Sequence, residues 1–370
     1  MSNLDSILDK IISTKQATII NEFDPKDIVI SLIEPLSQRE NEVIILRHGL
    51  DMKGKKTLEK IGNQFNVTRE RIRQIENSAI KKIKKSPELA EKLCIVKNVF
   101  NQTLEKHGGI MPENLLLEKT LSNVGINDES KTYASFILSQ LLSDQLNYQM
   151  ETEHYHPAWK LPSVSVDNFE NILSLALETI QKINNPSPLT DIHNRLITEY
   201  EYETLKELTE EILHSFLSIS KKVKQNPYNE WGMADWNTIT LKKISDKVYL
   251  ILKKEGKPLH FTEIAKRIND NAFDKKTANP ATIHNELILD PKYVLVGRGI
   301  YALTEWGYKP GTVAEVITEI LKNSARPLSR EQIINKVLEN RFVKKSTIIL
   351  ALMDKNRFSK TAEGLFTIKA

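Results

Sequence analysis

The sequence predicts a mainly α-helical protein in which a helix-turn-helix is followed by about four tandem winged-helix modules with small β-hairpin wings. Residues 57–86 show two amphipathic helices separated by a short break with cap signals. Further on, amphipathic helix pairs recur, and Pro188, Pro258 and Pro327 within them are separated by 70 and 69 residues. An alternating, aromatic-rich segment follows each pair, as the hairpin of a winged helix does.

Residues 1–34 form an N-terminal segment with two helical patterns and a break between them at Asp24 and Pro25. Aliphatic residues recur at helical steps on both sides of the break, namely Leu4, Ile7, Leu8, Ile11 and Ile12 before it and Ile28, Ile30, Leu32 and Ile33 after it. The pattern predicts a helix on each side.

The helix-turn-helix begins at Thr57, which can cap a helix, and Glu59 places a negative charge in the first turn, where the helix dipole favours it. Gly62 leaves room for a second helix to cross closely. Asn66 can adopt the left-handed conformation at the break, and Thr68 can cap the second helix. The apolar stripe of the first helix consists of Leu58, Ile61 and Phe65.

The second helix has one apolar and one polar face. The apolar face must turn to the protein core and consists of Ile72, Ile75, Ala79 and Ile83. The opposite face consists of Glu70, Gln74, Asn77 and Lys81, with Arg71 and Arg73 on its flanks. Arginine pairs with guanine, glutamine with adenine, and a carboxylate accepts from the cytosine amino group. The polar face therefore fits base edges in a major groove, and its N-terminal end, where Arg69 lies, reaches the bases.

Two adjoining motifs carry a resemblance to a known family. The run LSQRENEVIILRHGL at residues 36–50, followed by TLEKIGNQFNVTRERIRQIE, resembles the fourth conserved region of the bacterial sigma-70 family, over about residues 35–88. The resemblance implies binding to the promoter −35 element and to the flap of the RNA polymerase β subunit. It also implies that Arg69, Glu70 and Gln74 read bases and that Arg73 contacts the DNA backbone.

The full set of candidate DNA-binding residues is Thr68, Arg69, Glu70, Arg71, Arg73, Gln74, Asn77, Lys81 and Lys84. A solvated, charged helix face on a regulator is the alternative interpretation of these residues. The charge distribution favours DNA, because residues 53–86 hold eleven Lys and Arg against three Asp and Glu, a net charge of +8. Residues 113–246 instead carry a net charge of −9. We therefore expect the attraction for phosphate to be concentrated in one small part of the chain.

The repeated helical segments occupy residues 169–196, 244–268 and 312–337, with a looser first copy at residues 95–121. The hairpin candidates that follow them are LNYQMETEHYHPAWKL, KKVKQNPYNEWGMADW, YVLVGRGIYALTEW and GLFTIKA. The third copy, which contains GKPLHFTEIAKRI, PATIHNELI and VGRGIYALTEWGY, resembles the HARE-type winged helix, related to the N-terminal domain of the RNA polymerase delta subunit. Arg298 then lies at the wing tip, where it could enter a minor groove or simply form part of a turn.

The predicted domains follow from these motifs. They are an N-terminal helical segment (1–34), the sigma region 4-like helix-turn-helix (35–88), two winged-helix-like modules (89–162 and 163–240), a HARE-type winged helix (241–309) and a C-terminal winged-helix-like module (310–370). We call the last four modules 1 to 4.

The composition excludes several other classes of protein. No apolar run is long enough to span a membrane, and the N-terminus has no secretory signal pattern, so we expect a cytoplasmic, nucleoid-associated protein with no membrane partner. Cys94 is the only cysteine, which leaves no intrachain disulfide. His154 and His156, close to Glu153, could hold a metal with one more ligand, but we favour a solvated hairpin there. No catalytic arrangement is found, so we expect neither an enzyme nor a cofactor.

The predicted function is a DNA-binding transcription regulator that engages a −35-like promoter element in double-stranded DNA, core RNA polymerase through its β flap, or both. Residues 1–34 are too short for a promoter-melting region, and none follows, so the chain is not a complete stand-alone sigma factor. Two alternatives stay open. One is a flap-binding antagonist of RNA polymerase without specific DNA binding, and the other is a DNA-binding component of a defence or restriction system.

Overall fold

A computed structural model describes residues 24–122, 125–200, 205–274, 276–308, 310–324, 326–361 and 363–369, and the backbone alone of residues 87–95. This part of the chain is mainly α-helical with small antiparallel sheets, which confirms the predicted fold class. The helical pattern between Leu4 and Ile12 lies outside the described residues, as does the side chain of Cys94.

The chain divides into two compact units. The first unit runs from the start of the description to Lys224 and includes Trp231–Ala234, and the second combines Gln225–Glu230 with Asp235–Ala370. The helices of the first unit are α1 (Pro25–Ile33), α2 (Gln38–His48), α3 (Leu58–Phe65), α4 (Arg69–Lys85), α5 (Pro87–Lys106), α6 (Glu113–Thr120), α7 (Asp128–Phe136), α8 (Val166–Ile183), α9 (Leu189–Glu199) and α10 (Glu210–Ile219). Its strands are β1 (Ile110–Pro112), β2 (Asn147–Gln149) and β3 (Ala158–Lys160), followed by the hairpin of β4 (Val223–Gln225) and β5 (Trp231–Met233), of which Gln225 is counted with the second unit.

Helix caps and a left-handed residue form the helix-turn-helix at the positions that the sequence predicts. The Thr57 hydroxyl accepts a hydrogen bond from the Lys60 N–H at 3.3 Å, and the break at Asn66 has a left-handed φ of 53°. Thr68 caps α4 by accepting from the Arg71 N–H at 3.2 Å. Gly62 is required for the tight crossing, because a Cβ atom there would lie 2.7 Å from the Val67 carbonyl oxygen.

The helix-turn-helix has a small core of its own, formed by Val43, Ile61, Ile72 and Ile75. The second half of α4 belongs to a larger core, in which Ala79 and Ile83 join α1, α2 and the helices of module 1. The Tyr133 hydroxyl of α7 donates to the Leu50 carbonyl at 3.0 Å, within this core. The hydrophobic core is therefore continuous from α1 to β3, across the domain boundary predicted at residue 88.

The hairpin candidates in the first unit form the predicted strands. β3 lies between β1 and β2 in an antiparallel sheet, in which Trp159 is opposite Met111 on one side and Tyr148 on the other. β4 and β5 form a separate two-stranded sheet, and the Ser187 N–H donates to the Trp231 carbonyl at 3.0 Å. Each hairpin thus follows a group of helices, as in a winged helix.

The second unit holds two further helix groups with hairpins. Its helices are α11 (Ile244–Glu255), α12 (Phe261–Asp270), α13 (Pro280–Leu289), α14 (Val313–Lys322), α15 (Arg330–Asn340) and α16 (Lys345–Leu352). Its strands are β6 (Leu259–His260), β7 (Tyr293–Gly297) and β8 (Ile300–Leu303), in the order β6-β8-β7, and the pair β9 (Phe358–Lys360) and β10 (Phe366–Ile368). Asn279 caps α13 by accepting a hydrogen bond from the Ala281 N–H, and Pro280 opens the helix. Arg298 is exposed at the turn between β7 and β8.

Candidate nucleic-acid interface

Helix α4 separates a buried face from an exposed one as its sequence predicts. Ile72, Ile75, Ala79 and Ile83 are each at most 8% exposed. The exposed residues on and beside the opposite face are Thr68, Arg69, Glu70, Arg71, Arg73, Gln74, Asn77 and Lys81. This set contains no large hydrophobic residue. We call these eight residues the reading face.

Two hydrogen-bonded pairs order the N-terminal half of the reading face. Arg71 Nη1 donates to Gln74 Oε1 at 3.1 Å. Arg73 donates twice to Glu70, from Nε to Oε2 at 2.9 Å and from Nη2 to Oε1 at 2.7 Å. The Arg73 guanidinium lowers the pKa of the Glu70 carboxyl, so this group is ionised at neutral pH. Both partners are exposed, so a base edge or phosphate can compete for them.

Polar side chains of α4 also contact α2. Lys82 Nζ lies 2.7 Å from Glu40 Oε1, and the hydrogen bond from Lys82 lowers the pKa of that carboxyl. Glu40 also accepts from the Ser37 N–H at 3.2 Å, as in a capping box. Glu76, largely buried, lies 3.3 Å from His48 Nε2 and 3.5 Å from Arg47 Nε. These contacts tie α4 to α2. The S-x-x-E spacing of Ser37 and Glu40 is a sequence signal for the capping box, and it could have revealed that part of the arrangement.

Lys84, the last candidate contact, differs from the others. It is only partly exposed, and its Nζ lies 2.6 Å from Asp144 Oδ2 and 3.5 Å from the Ser143 hydroxyl. Lys84 lowers the pKa of the Asp144 carboxyl through this hydrogen bond. Within the described ranges, Arg69, Lys81 and Lys85 have no carboxylate at ion-pair distance. Unlike these three cations, Lys84 is paired with a carboxylate of module 1, and a DNA phosphate would have to compete with that carboxylate.

The described part of the chain does not gather a set of metal ligands around His154 and His156. His154 is exposed, and the His156 N–H donates to the Ile219 carbonyl at 2.8 Å. No group of three or more His, Cys, Asp or Glu side chains among the described residues is arranged to hold a metal ion. None of the helices described is both long enough and apolar enough to cross a membrane.

Comparison with known proteins identifies the segment that contains the reading face. Residues 32–85 match the family model of sigma-70 region 4, which confirms the predicted resemblance for this segment. An RNA polymerase sigma factor RpoD of Helicobacter pylori is 47% identical over 81 residues, 22% of this chain and 12% of that protein. An RNA polymerase sigma factor SigA of Microcystis aeruginosa is 56% identical over 54 residues, 15% of this chain and 13% of that protein.

A third relative, the RNA polymerase sigma factor SigA of Clostridium acetobutylicum, is 46% identical over 68 residues, 18% of each chain. The chain thus spans less than a fifth of the length of these relatives. Sigma-70 region 4 is a DNA-binding, non-enzymatic domain, and it accounts for the helix-turn-helix. The family match ends at residue 85, so the HARE-type resemblance of residues 241–309 stays a prediction.

Proposed function

We propose that this chain is a transcription regulator that places α4 in the major groove of a −35-like promoter element and acts together with core RNA polymerase. The observation that carries the proposal is the reading face, on which polar and charged side chains alone are exposed while the opposite face of α4 is buried. Such a regulator works at the nucleoid and performs no catalytic step.

The reading face has the chemistry for base recognition. Arg69, Glu70 and Gln74 lie in the first two turns of α4, which is the part of a recognition helix that reaches the bases. Thr68 and the first N–H groups of α4 can bind a phosphate at the positive end of the helix dipole. The ion pair of Lys82 with Glu40 ties α4 to α2, so the reading face is carried by a helix that its neighbour holds in place.

The role of RNA polymerase rests on the relatives rather than on a described contact. The proteins that match this segment are RNA polymerase sigma factors, and we infer that this chain meets the same enzyme, with the β flap as the first surface to test. The match to those proteins covers only their region 4 segment. We propose that the chain modulates an initiation complex that contains another sigma factor.

A second candidate function is a polymerase-binding antagonist that needs no specific DNA. The closed pair of Glu70 and Arg73 favours it, because these two residues already satisfy each other in the free protein. If Glu70 reads a base, it must use the lone pairs that Arg73 leaves free, or the pair must open.

Selection from randomised duplexes with the full chain separates the two candidates. The regulator predicts enrichment of one sequence motif, lost in the double variant Arg69→Ala/Gln74→Ala and retained in the control Asn63→Ala, which changes an exposed residue of α3 outside the reading face. It also predicts no run-off transcript from core polymerase plus this chain alone. No enrichment, together with co-purification of core polymerase, would favour the antagonist.

A further inference from the structure

A polar cavity lies between modules 1 and 2, within the first unit. It has a volume of about 630 Å³, the size of site that holds a small organic molecule. Its walls come from the C-terminal end of α5 and from α6, α9 and α10, and they carry three histidines, one lysine and two glutamates beside two leucines. No residue of the reading face lines this cavity. The helix-turn-helix therefore does not account for it.

The most buried polar residue of the cavity wall is His107, which is 4% exposed. Its Nδ1 lies 2.7 Å from the Thr103 carbonyl oxygen, and since a carbonyl oxygen only accepts, Nδ1 carries the proton. Burial lowers the pKa of His107, so the ring is neutral at neutral pH and Nε2 has a free lone pair. No described residue donates to this nitrogen. The cavity thus contains a buried acceptor that a ligand can satisfy.

The other two histidines add to the acceptors of the wall. His193 Nε2 donates to the Leu208 carbonyl at 2.7 Å, which leaves Nδ1 as the acceptor of the neutral ring. Burial lowers the pKa of His214, so this ring is also neutral at neutral pH. Imidazole lone pairs suit a metal ion as well, but no set of three ligands among the described residues is placed to hold one. An organic ligand, which is larger, can span acceptors that are spread over a cavity wall.

Charges of both signs line the cavity, and they lie on different helices. The ammonium group of Lys119 belongs to α6, and the carboxylates of Glu210 and Glu211 belong to the first turn of α10. Besides burial, the charge of Lys119 lowers the pKa of His107 and that of Glu211 raises it, so both charges are near this ring. A purely anionic ligand would face the two glutamates, and a purely cationic one would face Lys119. A zwitterion can pair with both walls.

We propose that this cavity binds a free amino acid with a bulky apolar side chain. Its carboxylate would pair with Lys119, and its ammonium group would donate to His107 Nε2 and to the carboxylates of α10. Its side chain would pack against Leu189 and Leu208, the two leucines of the lining. Because the walls come from two modules, a bound amino acid would stabilise the contact between modules 1 and 2. The proposal does not depend on DNA binding by α4.

The test is calorimetric titration of the full chain at neutral pH with L-leucine, L-phenylalanine and L-tryptophan. The amino acid that binds best is then compared with two analogues that keep its apolar body, one without the ammonium group and one without the carboxylate. We expect saturable binding of the amino acid, tighter than that of either analogue by about tenfold or more, because each analogue leaves one charged wall unpaired.

Two variants assign the charged groups of the ligand to the two walls. Lys119→Ala should weaken binding of the amino acid by about tenfold or more and leave the affinity of the carboxylate-free analogue unchanged. Lys119 is exposed, so this substitution leaves the fold intact. The double variant Glu210→Gln/Glu211→Gln should instead weaken only the probes that carry an ammonium group. The matched control is Lys97→Ala, an exposed lysine of α5 that does not line the cavity, and it should leave binding unchanged.

Each other outcome overturns the proposal. If the analogue without the ammonium group binds as tightly as the amino acid, the cavity is an anion site, and if the analogue without the carboxylate does so, it is a cation site. Equal losses in Lys119→Ala and Lys97→Ala would place the ligand outside this cavity. No saturable binding of any of the three amino acids at millimolar concentration would mean that the cavity does not hold this class of ligand.

Discussion

Removal of the Asp144 carboxylate should strengthen DNA binding, although the residue lies in module 1 and outside the reading face. Lys84 Nζ is 2.6 Å from Asp144 Oδ2, so this cation already has an anionic partner in the free protein. Asp144→Asn keeps the size of the side chain but releases the ammonium group for a phosphate. Each phosphate that a protein neutralises changes the slope of log affinity against log salt by about −0.9. We therefore expect the slope to become more negative by about 0.9 and the affinity at low salt to rise several-fold.

The assay is a salt titration of full-chain binding to one duplex, followed by fluorescence anisotropy. Glu153→Gln is the matched control, because it removes one negative charge at an exposed position without releasing a lysine from an ion pair. The double variant Lys84→Ala/Asp144→Asn should lose the added slope. A slope in Asp144→Asn equal to that in Glu153→Gln would show that Lys84 does not face a phosphate, and the end of α4 would then lie off the DNA.

Three further predictions concern α4 and the residues that contact it. In a selection from randomised duplexes, Glu70→Ala should keep or raise the affinity for random DNA and reduce the preference at one base pair by a factor on the order of tenfold to a hundredfold. If the variant keeps the wild-type preference at every position, Glu70 does not read a base. Ile83→Ala should lower the free energy of unfolding by about 2–5 kcal/mol, because Ile83 lies in the core shared by the helix-turn-helix and module 1. The two parts should still unfold together at one lowered urea midpoint, and two separate urea transitions would contradict a shared core. The pKa of Glu40 is lowered in the folded protein, so its contacts stabilise the fold above the ordinary pKa and are lost as the pH falls through the folded-state pKa. Glu40→Gln should therefore have a smaller free energy of unfolding than wild type at neutral pH, and this free energy should depend less on pH in acid. Curves of unfolding free energy against pH that run parallel for the two proteins would rule this out.

Features that depend on neighbours in sequence could be predicted from the sequence alone. The caps at Thr57 and Thr68, the left-handed Asn66 and the two faces of α4 all follow from side-chain chemistry within one or two turns of helix. The hairpin that carries Arg298 at its turn likewise follows from alternation and two glycines.

Contacts between distant segments could not be predicted in this way. Periodicity shows that Ala79 and Ile83 are buried, but it does not show that they pack against module 1 rather than within the helix-turn-helix. The pairing of Lys84 with Asp144 joins residues 60 positions apart, and no pattern in the sequence links them. For the same reason, a fragment that ends near residue 88 would expose part of the shared core, so the full chain is the sample for binding experiments.

The specificity ratio of the full chain decides whether the reading face recognises a DNA sequence. This ratio compares the affinities of the full chain for a selected duplex and for a scrambled one at a single physiological salt concentration. Base reading by this face predicts a ratio on the order of a thousand or more for the wild type and a value near one for Arg69→Ala/Glu70→Ala/Gln74→Ala. A wild-type ratio near one, or a high ratio that the triple variant keeps, would contradict it.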